Sequence, residues 1–194
     1  MTATISRVYD SYWNAEQAVN ALKASGIPES DISIVANKHV SSTHDLGADG
    51  SGAAEGAEIA AAVGGGVGLL AGVGLLAIPG LGPIVAAGWL LATAVGAVGG
   101  AVTGGLVGAL VNSGVSEADA QVYSESIRRG GTMVTVRTSE RNEEVTRRAM
   151  DNFLPVDIAL RRGELQKAGW TKYDPTAADY TPSEAELERM RRRN

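Results

Sequence analysis

The sequence predicts an α+β fold in which two β-α-β units share one sheet and a long apolar segment interrupts them. Three observations carry that expectation. Short apolar runs recur in the order strand, helix, strand near both ends of the chain. The 58 residues between Glu58 and Glu117 contain no Asp, Glu, Lys or Arg and hold 16 of the 25 glycines. All 39 charged residues lie in the remaining 136, so a mean hydropathy of zero averages two chemically different polymers.

Residues 1–37 read as the first half of the sheet domain. Residues 4–9 form a strand with Ile5, Val8 and Tyr9 as its apolar positions. A helix follows, with Asn14 and Gln17 at the spacing of an N-cap and its returning amide, Ala18, Val19 and Leu22 on one face, and Gly26 as a left-handed stop. Residues 31–36 alternate as the second strand. Residues 38–55 are a flexible Ser/Thr-rich linker, and 56–113 are a glycine-zipper helical hairpin.

The second half spans 114–162. Ser116–Arg129 is predicted as a helix with Ser116 and Asp119 at capping-box spacing, Ala120, Tyr123 and Ile127 on one face, and Gly130-Gly131 as its stop. Thr132–Thr138 alternates as a strand, Glu140–Phe153 carries Val145, Ala149 and Phe153 on one helical face, and Pro155–Leu160 resumes a strand. Asp31-Ile32 and Asp157-Ile158 open the second strand of each unit, a weak internal repeat. Two such units with right-handed crossovers interleave into a four-stranded ferredoxin-like sheet with both helices on one face.

In the insert, residues 59–78 and 84–111 flank a Pro-Gly-Leu-Gly-Pro break at 79–83, which predicts a helical hairpin. At 1.5 Å per residue the arms are roughly 30 Å and 40–45 Å long, enough to cross a hydrocarbon core. Small residues recur every four positions: Gly56, Ala60, Gly64, Gly68 and Gly72 in the first arm, Gly88, Ala92, Gly96, Gly100, Gly104 and Gly108 in the second. Such a glycine-zipper stripe lets another backbone approach closely, and Gly64, Gly68, Gly72, Gly88, Gly96, Gly100, Gly104 and Gly108 are the expected helix-packing interface. Glycine costs about 1 kcal/mol relative to Ala in an exposed helix, so the arms need a bilayer or copies of the chain around them. The expected partners are therefore the chain itself and a lipid bilayer. Every Lys and Arg lies on one side of the hairpin, which places the folded domain in the cytoplasm against the cytoplasmic membrane. The alternative is a cytoplasmic homo-oligomeric scaffold whose hairpins share one hydrophobic core.

Chemistry is largely excluded. The absence of cysteine removes disulfides, zinc-thiolate and iron–sulfur sites and thiol nucleophiles. His39, His44 and Asp45 sit in the linker without fixed geometry, so no metal is expected. Gly64-Gly-Gly-Val-Gly and Gly80-Leu-Gly-Pro lack the preceding strand and following Lys-Ser/Thr of a phosphate loop, so no nucleotide cofactor is expected. Glu143 and Glu144 stand four residues before Arg147 and Arg148, the spacing of helix ion pairs rather than of an acid–base dyad. No enzyme activity is expected. A net charge of −5 argues against nucleic acid, and the N-terminus lacks the apolar core of a secretory signal. In the tail, 163–194, the aromatics Trp170, Tyr173 and Tyr180 lie among Pro, Asp and Thr and could dock on the chain's own sheet, a neighbouring subunit or a separate protein partner. A short helix ending in Arg189, Arg191, Arg192 and Arg193 closes the chain.

Gly26-Ile-Pro-Glu-Ser-Asp-Ile-Ser-Ile-Val35 and Gly114-Val-Ser-Glu-Ala-Asp-Ala-Gln-Val-Tyr123, running into Arg129-Gly-Gly-Thr-Met-Val-Thr-Val136, resemble the general-stress-protein 17M-like (YflT-type) domain. The resemblance covers roughly residues 4–37 and 114–162. It implies a bacterial, non-enzymatic, stress-associated protein, often with a glycine-rich apolar insert between its halves.

Overall fold

The computed structural model describes residues 2–37, 74–78, 82–90 and 105–174, with Ala177, Tyr180, Ser183 and Glu184. The fold is α+β. Among the described residues the strands are β1 (Thr2–Tyr9), β2 (Ile32–Asn37), β3 (Gly74–Ile78), β4 (Gly82–Ala87) and β5 (Thr132–Ser139), and the α-helices are α1 (Tyr12–Ala24), α2 (Gly105–Asn112), α3 (Glu117–Arg128), α4 (Glu143–Asp151) and α5 (Ile158–Lys167). The sheet order is β1-β5-β2-β4-β3, antiparallel at every junction.

Strand β5 lies between the two strands of the first unit, with Ile5 facing Val136 on one side and Ile32 facing Val136 on the other. Alternation then sends side chains to two faces. Ile5, Tyr9, Ile32, Ile34, Ala36, Val134 and Val136 form one core with Tyr12, Ala15, Ala18, Val19 and Leu22 of α1 and Ala149 and Met150 of α4. On the other face Val8, Val35 and Met133 pack against Leu106, Ala109 and Leu110 of α2 and Ala120, Tyr123 and Ile127 of α3. The polar members of that face are paired: Ser6 Oγ lies 3.0 Å from Thr135 Oγ1, and the Tyr123 hydroxyl donates to the Ser6 carbonyl.

Local signals explain most element ends. Helix α3 begins with Ser116 Oγ accepting from the Asp119 N–H, and α1 ends where Gly26, at φ +81°, lets the Ile27 N–H return to the Leu22 carbonyl. The start of α1 differs from expectation. Ser11 is its N-cap, without a side-chain bond, and Asn14 lies inside the helix, because burial of Tyr12 and Ala15 draws the first turn onto the sheet. In α4 the buried face is Thr146, Ala149 and Met150, while Val145 is 48% exposed. Thr146 can enter the core because its hydroxyl bonds the Asn142 carbonyl and lies 3.1 Å from Thr138 Oγ1.

Two larger expectations are corrected. The strand expected at Pro155–Leu160 is reduced to one backbone bond on the outer edge of β1, from the Val156 N–H to the Val8 carbonyl at 2.7 Å. Asp157 accepts from the Leu160 N–H and starts α5 instead, leaving Leu160 69% exposed. A side-chain cap at that position wins over a short alternating run.

The second correction concerns the long helical hairpin. Residues Gly74–Ile78 and Gly82–Ala87 are paired strands, and β4 continues the sheet by pairing Ile34–Asn37 with Ala87–Ile84. An apolar run of five or six residues bounded by Pro and Gly fits a strand as well as a helical segment, and as a strand it pairs backbone groups of β2 that a helix, bonded within itself, would leave open. Pro83 is accommodated because pairing with β2 starts one residue later, at Ile84. Among the described residues no helix is long and apolar enough to cross a membrane.

Candidate assembly surface and tail contacts

The strand pair β3–β4 is attached to the domain by the residues that follow it. Gly88 has φ +97°, and a Cβ there would collide with the Ile32 carbonyl oxygen and lie 2.6 Å from Ser33 Oγ and 2.8 Å from Ser33 Cα. Only glycine permits this approach of two backbones. The next residues use it: the Leu90 N–H donates to Ser33 Oγ at 3.0 Å, and Trp89 Nε1 donates to the Asp31 carbonyl at 3.1 Å. The Arg137 guanidinium, 3.3 Å from Asp31 Oδ1, lies 4.6 Å from the Trp89 ring centroid. Leu90 is buried with the α2–α3 core. Hydrogen bonds, a cation–π contact and apolar burial thus converge on Trp89 and Leu90, directly after the close approach at Gly88.

A second cluster lies at the C-terminal end of α3. Glu125 is only 2% exposed, and its carboxylate accepts from Arg128 at 2.8 and 2.9 Å and from Arg129 at 2.7 Å. A buried carboxylate requires such pairing. The tail covers this triad. Tyr173 is buried in the α2–α3 core, and the Tyr180 ring lies 5.2 Å from the Arg128 guanidinium and 6.0 Å from that of Arg129. Burial pushes the Tyr173 phenol up to about 12, with Arg128 opposing the shift and Glu125 and Asp174 adding to it.

The predicted site residues therefore separate. Gly64, Gly68, Gly72, Gly96, Gly100 and Gly104 lie outside the described residues, as do His39, His44, Asp45 and Arg189, Arg191, Arg192 and Arg193. Gly108 is within α2. Gly88 is a correction: it was expected in a helical packing stripe and instead forms the turn after β4, since its left-handed φ is incompatible with a continuous helix. Tyr173 and Tyr180 dock on the chain's own domain, while Trp170 is half-buried and its backbone N–H donates to the Leu165 carbonyl at the end of α5.

Trp89, Asp31, Ser33 and Arg137 are absent from the sequence-derived set. The available signal was a lone Trp after a glycine in an otherwise aliphatic run; its partners are more than 40 residues away and no spacing reveals them. The Glu125 triad was readable from the i, i+3 and i, i+4 positions of Arg128 and Arg129. Among the described residues no three His, Cys, Asp or Glu side chains are grouped to hold a metal. No family model, curated protein or solved structure matches this chain.

Proposed function

We propose that this chain is a non-catalytic assembly protein of the bacterial stress response, similar in kind to the general-stress-protein 17M-like domain, and that it works by associating with copies of itself. The observation that carries the reading is the placement of an uncharged strand pair, β3–β4, at one edge of a charged α+β domain. Strands β1, β5 and β2 with α1 and α4 are read as a ferredoxin-like core whose fourth strand is reduced to the Val156–Val8 bond.

A second reading, in which the same segment also engages the cytoplasmic face of the membrane, draws on the uncharged residues 59–73 and 91–104. Self-association is favoured over a spanning hairpin because Gly74–Ile78 belongs to the sheet. The 15 uncharged residues before it would reach only about 22 Å as a helix, short of the roughly 30 Å hydrocarbon core. Mass measurement of the purified full chain with and without detergent, together with carbonate washing of cell membranes, tests both. A defined multimer in plain buffer is expected. A single-chain mass in buffer would remove the assembly reading, and retention in the washed membrane would favour the second.

A further inference from the structure

We infer that the tail from Trp170 to Tyr180 is a strap that can leave the domain without unfolding it, and that the C-terminal end of α3 is a seat that binds this tail sequence reversibly. The tyrosines and aspartates of the tail are the ligand. The cluster of Glu125, Arg128 and Arg129, with the apolar core beside it, is the site.

The seat and the segment that fills it match in charge and in chemistry. Arg128 and Arg129 share one carboxylate, so the cluster keeps a net positive charge, whereas Tyr173-Asp-Pro-Thr-Ala-Ala-Asp-Tyr180 has two aspartates and no basic residue. Tyr173 is buried in the α2–α3 core, and the Tyr180 ring lies over both guanidiniums. An aromatic anchor in an apolar site, a ring over cations and an acidic segment facing clustered arginines are the contacts by which short peptide motifs are held.

The attachment of the tail divides at Gly169. Before it, α5 is fixed by Arg162 to Asp119 at the start of α3 and by Arg161 to Asp10 just after β1. Gly169 has φ +86° and open space where a side chain would stand, and Ala168, Thr171, Lys172 and Asp174 are exposed. Among the described residues beyond this hinge, Tyr173 is the buried anchor. Lifting the segment leaves the sheet packed against α2 and α3 through the rest of that core. It also returns water to a buried carboxylate and two guanidiniums, and the hydration regained offsets part of the burial lost by Tyr173. One buried anchor, exposed flanks and a gain of hydration on opening are the conditions for local release without global unfolding.

Full-length Tyr173→Ala loosens the strap and keeps the seat, and a synthetic peptide with the sequence of residues 170–182 is the probe. The peptide is expected to bind this variant saturably and to raise its urea midpoint, as a ligand of the folded state does. In the unmodified chain the tethered strap competes at an effective concentration of about millimolar, so the peptide is expected to bind at least about tenfold more weakly there. The same peptide with both tyrosines replaced by alanine is expected not to bind. Should Tyr173→Ala fail to fold by circular dichroism, full-length Tyr180→Ala takes its place and is expected to bind the peptide more tightly than the unmodified chain does. A folded variant that binds the peptide no better than the unmodified chain overturns the inference, because the tail is then a fixed member of the core.

Discussion

At Gly88 a single hydrogen atom decides whether the strand pair can lie against β2. Gly88→Ala places a methyl against the Ile32 carbonyl and Ser33 in a backbone conformation that L-residues disfavour, and is expected to cost about 2–4 kcal/mol in urea unfolding. Ser33→Ala removes one acceptor from the Leu90 N–H and should cost about 1 kcal/mol by the same measurement. The Glu125 triad predicts an asymmetry. Arg128→Met leaves a 2% exposed carboxylate paired with Arg129 and should cost about 2–3 kcal/mol, whereas Glu125→Gln, which frees two arginines that can turn toward water, should cost about 1 kcal/mol. Equal losses would show that the carboxylate is not the costly member.

Buried phenols make a pH prediction at the same scale. Burial raises Tyr12, with Glu16 adding to the shift, and Tyr173 to about 12 each, against an ordinary value of 10.0. Below pH 10 both are protonated in folded and unfolded chains, and their contribution is complete. As pH rises from 10 through about 12 the unfolded chain ionises first, so stability falls across that window. Tyrosinate absorbance should therefore appear together with loss of helical circular dichroism; free titration of every tyrosine at pH 10 in an intact fold would contradict it.

Among the elements, those with both a periodic apolar face and a terminal signal were legible in the sequence. Helix α3 is the clearest: Ser116 and Asp119 at its start, Ala120, Tyr123 and Ile127 inside, and Gly130 after its end all appear where the spacing puts them. Ser116→Ala should lower stability by about 1 kcal/mol, read as a shift in the urea midpoint. Elements with one signal of two kinds were misread. Asp157 resembles Asp31 in sequence, but it caps a helix where Asp31 precedes a strand. The tail is likewise an element whose composition allowed several partners. Since Tyr173 fills the core and Tyr180 lies over two arginines at its edge, Tyr173→Ala should cost about 3 kcal/mol and Tyr180→Ala about 1 kcal/mol.

For the whole molecule, the segment without charge and the domain with all the charge are joined at one sheet. Backbone pairing of β4 with β2 and the burial of Leu90, Leu106, Ala109 and Leu110 under the sheet make described parts of the apolar segment structural members of the domain. The period-four glycine pattern does not distinguish this outcome from a zipper, because hydropathy and small size are common to a lipid-facing helix and a buried strand.

The sequence alone determined the alternation of β1, β2 and β5, the capped and glycine-stopped α3, the absence of cysteine chemistry and the division of the chain into charged and uncharged parts. These follow from local periodicity, local capping and composition. Tertiary structure decided that Gly74–Ile78 and Gly82–Ala87 are strands, that Gly88 is a turn, that the expected fourth strand contracts to one bond and that the tail folds onto α3. Each of those outcomes depends on what a distant segment offers: an open edge at β2, a carbonyl at Ile32, a free backbone acceptor on β1 and a pair of arginines beside a buried Glu125. Such offers exist only after the chain has folded, so no short window of residues contains them.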